Sequence, residues 1–369
     1  MHKRLKFFCG LFFIIATVLI LLSPVISLFL PYGLRYHAYQ RLIFNSIVAQ
    51  ETKGRMTDYE KSLSLFNYVV SNEFLQGTPY SCKPLESLIY AEAYCDFQAR
   101  TLNLLLGIAG VPSRYAMLLD KNGISPHTLN EVFLNNKWCV FDTALNNVFV
   151  DSRGGMYSLD DLTAQPELLD EIKKISALKQ YASGMEYKDI IALYRRVLPL
   201  VGEPRRSTPI LKQSHIFDHL MDLYFKIFGN KFVYIYQNLY IRSALRHFKG
   251  GSDSALFYKA RNYHLAYRMD LALQSYTALL KEFPESKYCD DVLFFLGKLH
   301  YDIKDYQNAI KILRLVTDKK YGKWDKPASY FLWQIYGIIG DELSSREAYT
   351  NVGLEKVHAA GIVKTLSNR

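Results

Sequence analysis

From Phe7 to Leu30 the chain runs for 24 residues without a charge. At 1.5 Å per residue such a helix covers the ~30 Å hydrocarbon core of a bilayer with some tilt, so the pattern predicts a membrane-spanning segment. Lys3, Arg4 and Lys6 precede it, and Arg35 and Arg41 follow. The bias favours a cytoplasmic N-terminus and places residues 32–369 outside the cytoplasm, periplasmic or extracellular. A cleaved signal usually has a shorter apolar stretch and a small-x-small site. Val25-Ile26-Ser27 fits such a site poorly, so an uncleaved anchor is favoured over a cleaved signal. Leu223–Ile241 is also apolar and aromatic, but Lys226, Asn230, Lys231 and Asn238 interrupt it. Spanning would be costly there, and the segment predicts a packed core element, with a membrane-surface helix as the alternative.

Beyond the apolar run the periodicity changes. Tyr59, Leu63, Phe66, Val69, Val70 and Phe74 recur at three- and four-residue steps, predicting an amphipathic helix from Asp58 to Phe74. Gly77-Thr78-Pro79 interrupts it. A second helix is predicted over Tyr94–Ile108, ended by Gly110 and Pro112. Arg114–Leu119 reads as a strand, and Leu129–Leu134 and Lys137–Phe141 as two more, joined by Asn135-Asn136. Two helices followed by an antiparallel sheet make an α+β domain.

The remainder predicts mostly helices. Leu159–Leu178, interrupted near Pro166, and Lys188–Leu198 are candidates, and Glu203–Pro209 (EPRRSTP) reads as a linker. From about residue 254 small residues recur. Ala260, Ala272 and Tyr276 are echoed by Gly297, Ala309 and Leu313, and more weakly by Tyr336 and Ala348. Small residues at these offsets let paired helices approach closely. The pattern resembles tetratricopeptide repeats, which implies a groove for a protein partner. Plain α-helical packing is the alternative. The boundaries that follow are 1–31 anchor, 32–154 α+β domain, 155–250 helical connection and 251–369 helical repeats.

Composition and charge narrow the partners. Half of the 369 residues are hydrophobic and 22% are charged, which excludes wholesale disorder. The net charge of +10 is spread along the chain without a basic cluster, so no nucleic-acid partner is expected. Five cysteines cannot form a disulfide framework. Spacing leaves the pairing of Cys82, Cys139 and Cys289 open. No Cys/His cluster has zinc-ligand spacing, no calcium-loop pattern is present, and Asp160-Asp161 reads as a helix start. No metal and no cofactor is expected.

Three residues stand out within the α+β domain. Cys95 falls at the start of the second helix, where free N–H groups and the helix dipole favour a thiolate. His127 begins one strand of the hairpin and Asp142 ends its partner. Paired strands bring such positions side by side. Each residue alone has an ordinary structural reading, as a small buried hydrophobe, a strand-start histidine or a turn aspartate. Together, in this order, they suggest nucleophile, base and orienting acid.

The motifs around them resemble the transglutaminase-like domain of the papain-like thiol superfamily over roughly residues 55–150. Tyr94-Cys95-Asp96-Phe97-Gln98-Ala99-Arg100 leads to a leucine-rich helix and Gly110-Val111-Pro112-Ser113-Arg114, similar to G-x-C-x-x-x-A and G-I-P-A-R. His127-Thr128-Leu129-Asn130-Glu131-Val132-Phe133 resembles H-x-W-x-E-V-Y, and Trp138 to Thr143 resembles W-x-x-x-D-P-T. Ala93, Leu129 and Ala144 depart from the pattern without removing a catalytic group. The resemblance implies a papain-like core, with Cys95 as nucleophile, His127 as base and Asp142 orienting it. The Cys95 N–H is a natural oxyanion donor. Gln76 or Tyr80 is a candidate second donor. The expected function is a membrane-anchored cysteine-dependent acyl-transfer enzyme that hydrolyses a peptide or amide bond of a protein or peptide substrate. A crosslinking transglutaminase and an inert cell-envelope scaffold are the alternatives.

Overall fold

The computed structural model describes residues 31–74, 83–119, 125, 127–144, 146–150, 155–165, 167–168, 205–206, 216–246, 248, 250–318 and 322–351. The apolar run 7–30, Gln76, Tyr80, Cys82 and the expected helix 188–198 lie outside these residues. Among the described residues no helix is long and apolar enough to cross a membrane.

Two compact units emerge. Among the described residues one joins 31–46 to 216–248, and the other joins 47–206 to 250–351. Helix α1 (Tyr32–Glu51) contributes to both. In the first unit α1 is held to α6 (Ile216–Phe228) and α7 (Asn230–Arg246) by buried polar contacts. Arg41 makes a two-pronged pair with Asp222, both bonds at 2.7 Å, and Tyr39 stacks on Tyr240 at 4.1 Å. The stretch read as one apolar element is therefore two helices. They meet at Gly229, whose φ of +59° is a left-handed conformation that glycine adopts without strain.

The second unit opens with α2 (Asp58–Asn72). Its N-cap is Thr57, which exchanges hydrogen bonds with Glu60 in a capping box. Leu65, Phe66, Val69 and Val70 bury the expected stripe, but Tyr59 stays exposed because it lies in the first turn. Helices α3 (Pro84–Tyr90) and α4 (Cys95–Ile108) follow. Helix α4 ends at Gly110, with φ of +78°, where the Val111 N–H returns to the Leu106 carbonyl at 2.9 Å.

The sheet has the order β4-β3-β2-β1-β5, with every pair antiparallel. Its strands are β1 (Ser113–Leu118), β2 (His127–Leu134), β3 (Lys137–Asp142), β4 (Asn147–Val148) and β5 (Arg205–Arg206). Asn135 and Asn136 both have positive φ, the two-residue turn whose twist matches a hairpin. Arg205-Arg206, read from sequence as part of a linker, instead pairs with Met117 and Ala116. Free backbone groups on the β1 edge accept even two residues of strand, a long-range pairing with no local signature. Helix α5 (Leu159–Ala164) begins where the expected helix does, and residues 169–178 of that expectation lie outside the described residues.

Three helix pairs end the described chain. They are α8 (Ser252–Leu265) with α9 (Met269–Glu282), α10 (Cys289–Asp302) with α11 (Tyr306–Asp318), and α12 (Asp325–Ile339) with α13 (Glu342–Asn351). Ala260, Ala272, Gly297, Ala309 and Ala348 are all buried or helical at the contacts. A Cβ on Gly297 would lie 2.7 Å from Leu313 Cδ2, so any larger residue there would force Leu313 to shift. The first helices of these pairs are not turned wholly to solvent. Phe74 packs edge-on against Phe294 and Trp324, Tyr90 lies against Phe257, and Lys323 pairs with Glu92 at 3.1 Å. The helical array thus packs on the segments that flank Cys95 in the chain.

Candidate active site

Cys95 is the first residue of α4, and Tyr94 precedes it as N-cap without a side-chain cap bond. The Phe97 and Gln98 N–H groups both bond the Tyr94 carbonyl at 3.0 Å, so no side chain of the cap covers the Cys95 end of the helix. The thiol is free and half-buried. Its backbone position is set by a short parallel bridge between Phe74 and Glu92. The Phe74 N–H bonds the Ala91 carbonyl at 3.0 Å, and the Ala93 N–H bonds the Phe74 carbonyl at 3.1 Å. Ala91 takes a left-handed φ of 54°, which stops α3 and turns the chain toward α4. That conformation is disfavoured for a residue with a Cβ, and the two flanking hydrogen bonds hold it.

His127 and Asp142 are both buried. Asp142 Oδ2 lies 2.6 Å from His127 Nε2. Asn130 pairs with Phe141 in the hairpin register. Continuing that register by one step sets Asp142 opposite Leu129, so His127 is its diagonal neighbour on the same face. A diagonal gap is wide for backbone positions but is spanned by an imidazole reaching a carboxylate. The thiol of Cys95 hydrogen-bonds His127. The structure therefore brings Cys95, His127 and Asp142 together from one helix and two strands.

Burial alone drives the His127 imidazolium toward deprotonation, but the Asp142 charge and hydrogen bond and the Cys95 thiol outweigh it. The His127 pKa rises to about 10, so the ring is an imidazolium at neutral pH.

Buried polar side chains tie these elements together. Gln98, one turn after Cys95, donates to the Glu73 carbonyl at 3.0 Å, and Thr101 donates to Glu73 Oε1 at 2.9 Å. Asn130, on the strand of His127, donates to the Ala99 carbonyl at 2.8 Å. Ser113 donates to Asn103 Oδ1 at 2.7 Å, which joins β1 to α4. Arg114 bonds its cross-strand partner Glu131 at 2.8 Å, with its guanidinium 4.0 Å over Trp138. Sequence reasoning quoted most of these residues without giving them a role. Their one local signal is a polar residue on a helix or strand face that is otherwise apolar. Burial pushes the Glu73 carboxyl well above its ordinary range, against the lowering effect of the Thr101 hydrogen bond.

Cys139 carries a free, buried thiol 3.6 Å from the Lys137 carbonyl. Burial pushes its pKa up, so it behaves as a small hydrophobe. Cys289 is also free. Among the described residues no group of three His, Cys, Asp or Glu side chains is arranged to hold a metal ion.

The arrangement can place a sulfur nucleophile beside a proton donor at the mouth of a helix. Comparison with known families agrees with that architecture: residues 45–143 match the model of the transglutaminase-like superfamily. No curated protein and no solved structure matches the chain.

Proposed function

From the premise of a transglutaminase-like domain at residues 45–143, we propose that the protein is a cysteine-dependent acyl-transfer enzyme that hydrolyses a peptide or amide bond. The observation that carries this reading is the position of His127, bonded on one side to Asp142 and on the other to Cys95. In the first half-reaction the Cys95 sulfur attacks the carbonyl carbon and the C–N bond breaks. His127 gives its proton to the leaving amine, and a thioester to Cys95 remains. In the second, His127, now neutral, takes a proton from water, the hydroxide oxygen attacks the thioester, and the carboxylic acid departs as the thiolate reforms. The Cys95 N–H at the start of α4 would receive the oxyanion. Asp142 orients the ring and favours its charged form throughout.

Anchoring by residues 7–30 and an extracytoplasmic location belong to the same proposal, supported by the uncharged run and the basic residues before it. The helical array serves first as a support for the Cys95 segment. A protein partner, anticipated from the repeat pattern, would use a face that the thiol domain leaves uncovered.

The test is acyl-enzyme trapping. The full chain is mixed with a peptide or acyl-amide library and quenched in acid, and intact mass is measured. A thioester adduct confined to Cys95, absent from Cys95→Ala and slowed in His127→Ala, supports the reading. Transfer of the acyl group to an added fluorescent amine in preference to water would move it to a crosslinking transferase. No adduct with any acyl donor, with Cys95 no more reactive than Cys289, would make the domain an inert scaffold.

A further inference from the structure

Helices α6 and α7 carry a surface whose chemistry is unusual for a water-facing one. Each buries one stripe, with Met221 and Tyr224 on α6 and Val233, Tyr236 and Tyr240 on α7. The opposite stripe is also apolar. Leu223, Ile227 and Phe228 are exposed on α6, and Ile235 and Leu239 on α7, with Ile227 and Ile235 each 61% accessible. Single exposed hydrophobes need no explanation, but a run of five at helical spacing within one hairpin does.

The charges sort in a matching way. Lys226, Lys231, Arg242 and Arg246 are exposed along these same two helices. The acidic residues of the hairpin, Asp218 and Asp222, are turned inward. Asp218 meets His37 at 2.6 Å, and Asp222 is held by Arg41 and by Asn45 at 2.8 Å. Packing on α1 thus engages the negative charge and leaves a face of large apolar side chains whose exposed charged neighbours, among the described residues of α6 and α7, are cations. On α7 the cations Lys231, Arg242 and Arg246 flank Ile235 and Leu239 along one stripe. A protein partner could fit an apolar face, but a border of one sign selects a surface of the other sign.

The chain itself brings such a surface near. The uncharged run 7–30 ends beside Pro31, and α1 starts at Tyr32, where Tyr32 and Leu34 are exposed. A tyrosine directly after an apolar run is the residue type enriched at the bilayer–water boundary. The same helix is the one on which α6 and α7 pack. We infer that the α6–α7 face lies on the surface of an anionic bilayer, with Ile227 and Ile235 entering the acyl boundary and Lys226, Lys231, Arg242 and Arg246 at the level of lipid headgroups. This rests on the proposed anchor and adds a second, interfacial contact to it.

The test uses the full chain in vesicles of phosphatidylcholine with or without phosphatidylglycerol. Ile227→Trp and Ile235→Trp are compared with Leu343→Trp, a position 83% exposed on the helical array. Lipids brominated on the acyl chain report depth by quenching, and flotation reports anchoring separately. Expected is quenching at positions 227 and 235 at least about twofold above position 343, strengthened by phosphatidylglycerol and weakened by salt. Chain that floats while all three positions are quenched alike overturns the inference and leaves the anchor standing. Chain that does not float overturns both. Quenching indifferent to phosphatidylglycerol overturns the anionic assignment. A blue-shifted but unquenched Ile235→Trp, with crosslinking between copies, would give the face to a second copy and overturn the bilayer.

Discussion

Arg261 reaches back along the chain to cap α3. Its Nε donates to the Ile89 carbonyl at 2.8 Å and its Nη2 to the Leu88 carbonyl at 2.6 Å, while the guanidinium lies 3.6 Å over Phe295. These are carbonyls at the end of α3, which a helix cannot satisfy internally. The segment they close, Tyr90 to Tyr94, delivers Cys95 to its partners. A residue of the helical array therefore holds the approach to the thiol.

Replacing Arg261 by methionine keeps much of the volume but leaves two buried carbonyls unbonded. A loss of about 2–4 kcal/mol is expected by denaturant unfolding. Loosening of the Cys95 segment should also show in the folded protein, as a Cys95 alkylation rate that changes its pH profile while that of Cys289 does not. An unchanged Cys95 profile would make Arg261 a purely structural cap.

The His127–Asp142 pair makes a directional pH prediction. The folded pKa of His127, about 10, lies above the ordinary value of 6.5. Protons are thus bound more tightly by the folded state, and the pair's stabilisation is fully present below 6.5 and lost as pH rises through about 10. The stability gap between the native chain and His127→Gln should therefore narrow steadily over that window, read as melting temperature at fixed ionic strength. Asp142→Asn should retain the fold and lower acyl turnover by roughly 10²–10⁴-fold, since it removes both the orienting acceptor and the charge.

Glu73 predicts the behaviour of a neutral buried acid. Its folded pKa is raised well above 4.5, so its contribution is present below 4.5 and is lost as pH rises toward the folded value. Glu73→Gln, which cannot ionise, should gain in stability relative to the native chain between pH 4.5 and 8. A constant difference across that range would mean that Glu73 is charged in the fold.

Gly297→Ala places a methyl 2.7 Å from Leu313 Cδ2 and Cγ. Overpacking of this kind costs about 1–3 kcal/mol. Leu313→Ala removes the clash along with its own packing. The double variant should accordingly lose less than the two single losses together, and a double-mutant cycle by chemical denaturation reads this directly.

What the sequence determined by itself was local. Side-chain periodicity marked α2, α4 and the β2–β3 hairpin because each pattern repeats within a turn or a strand pair. Asn135-Asn136 set the hairpin register, and that register brings His127 within reach of Asp142. The order of Cys95, His127 and Asp142 was readable for the same reason. Only the tertiary structure decided the rest. Nothing near Arg261 in the chain specifies Leu88 and Ile89, because a buried guanidinium is satisfied by whichever carbonyls the packing presents. Arg205 and Arg206 pair with β1 through backbone groups that every residue carries, so their side chains hold no sign of it. Asp218 and Asp222 are turned inward only because α1 folds against them. That contact, made by residues more than 170 positions apart, leaves the α6–α7 face apolar and basic.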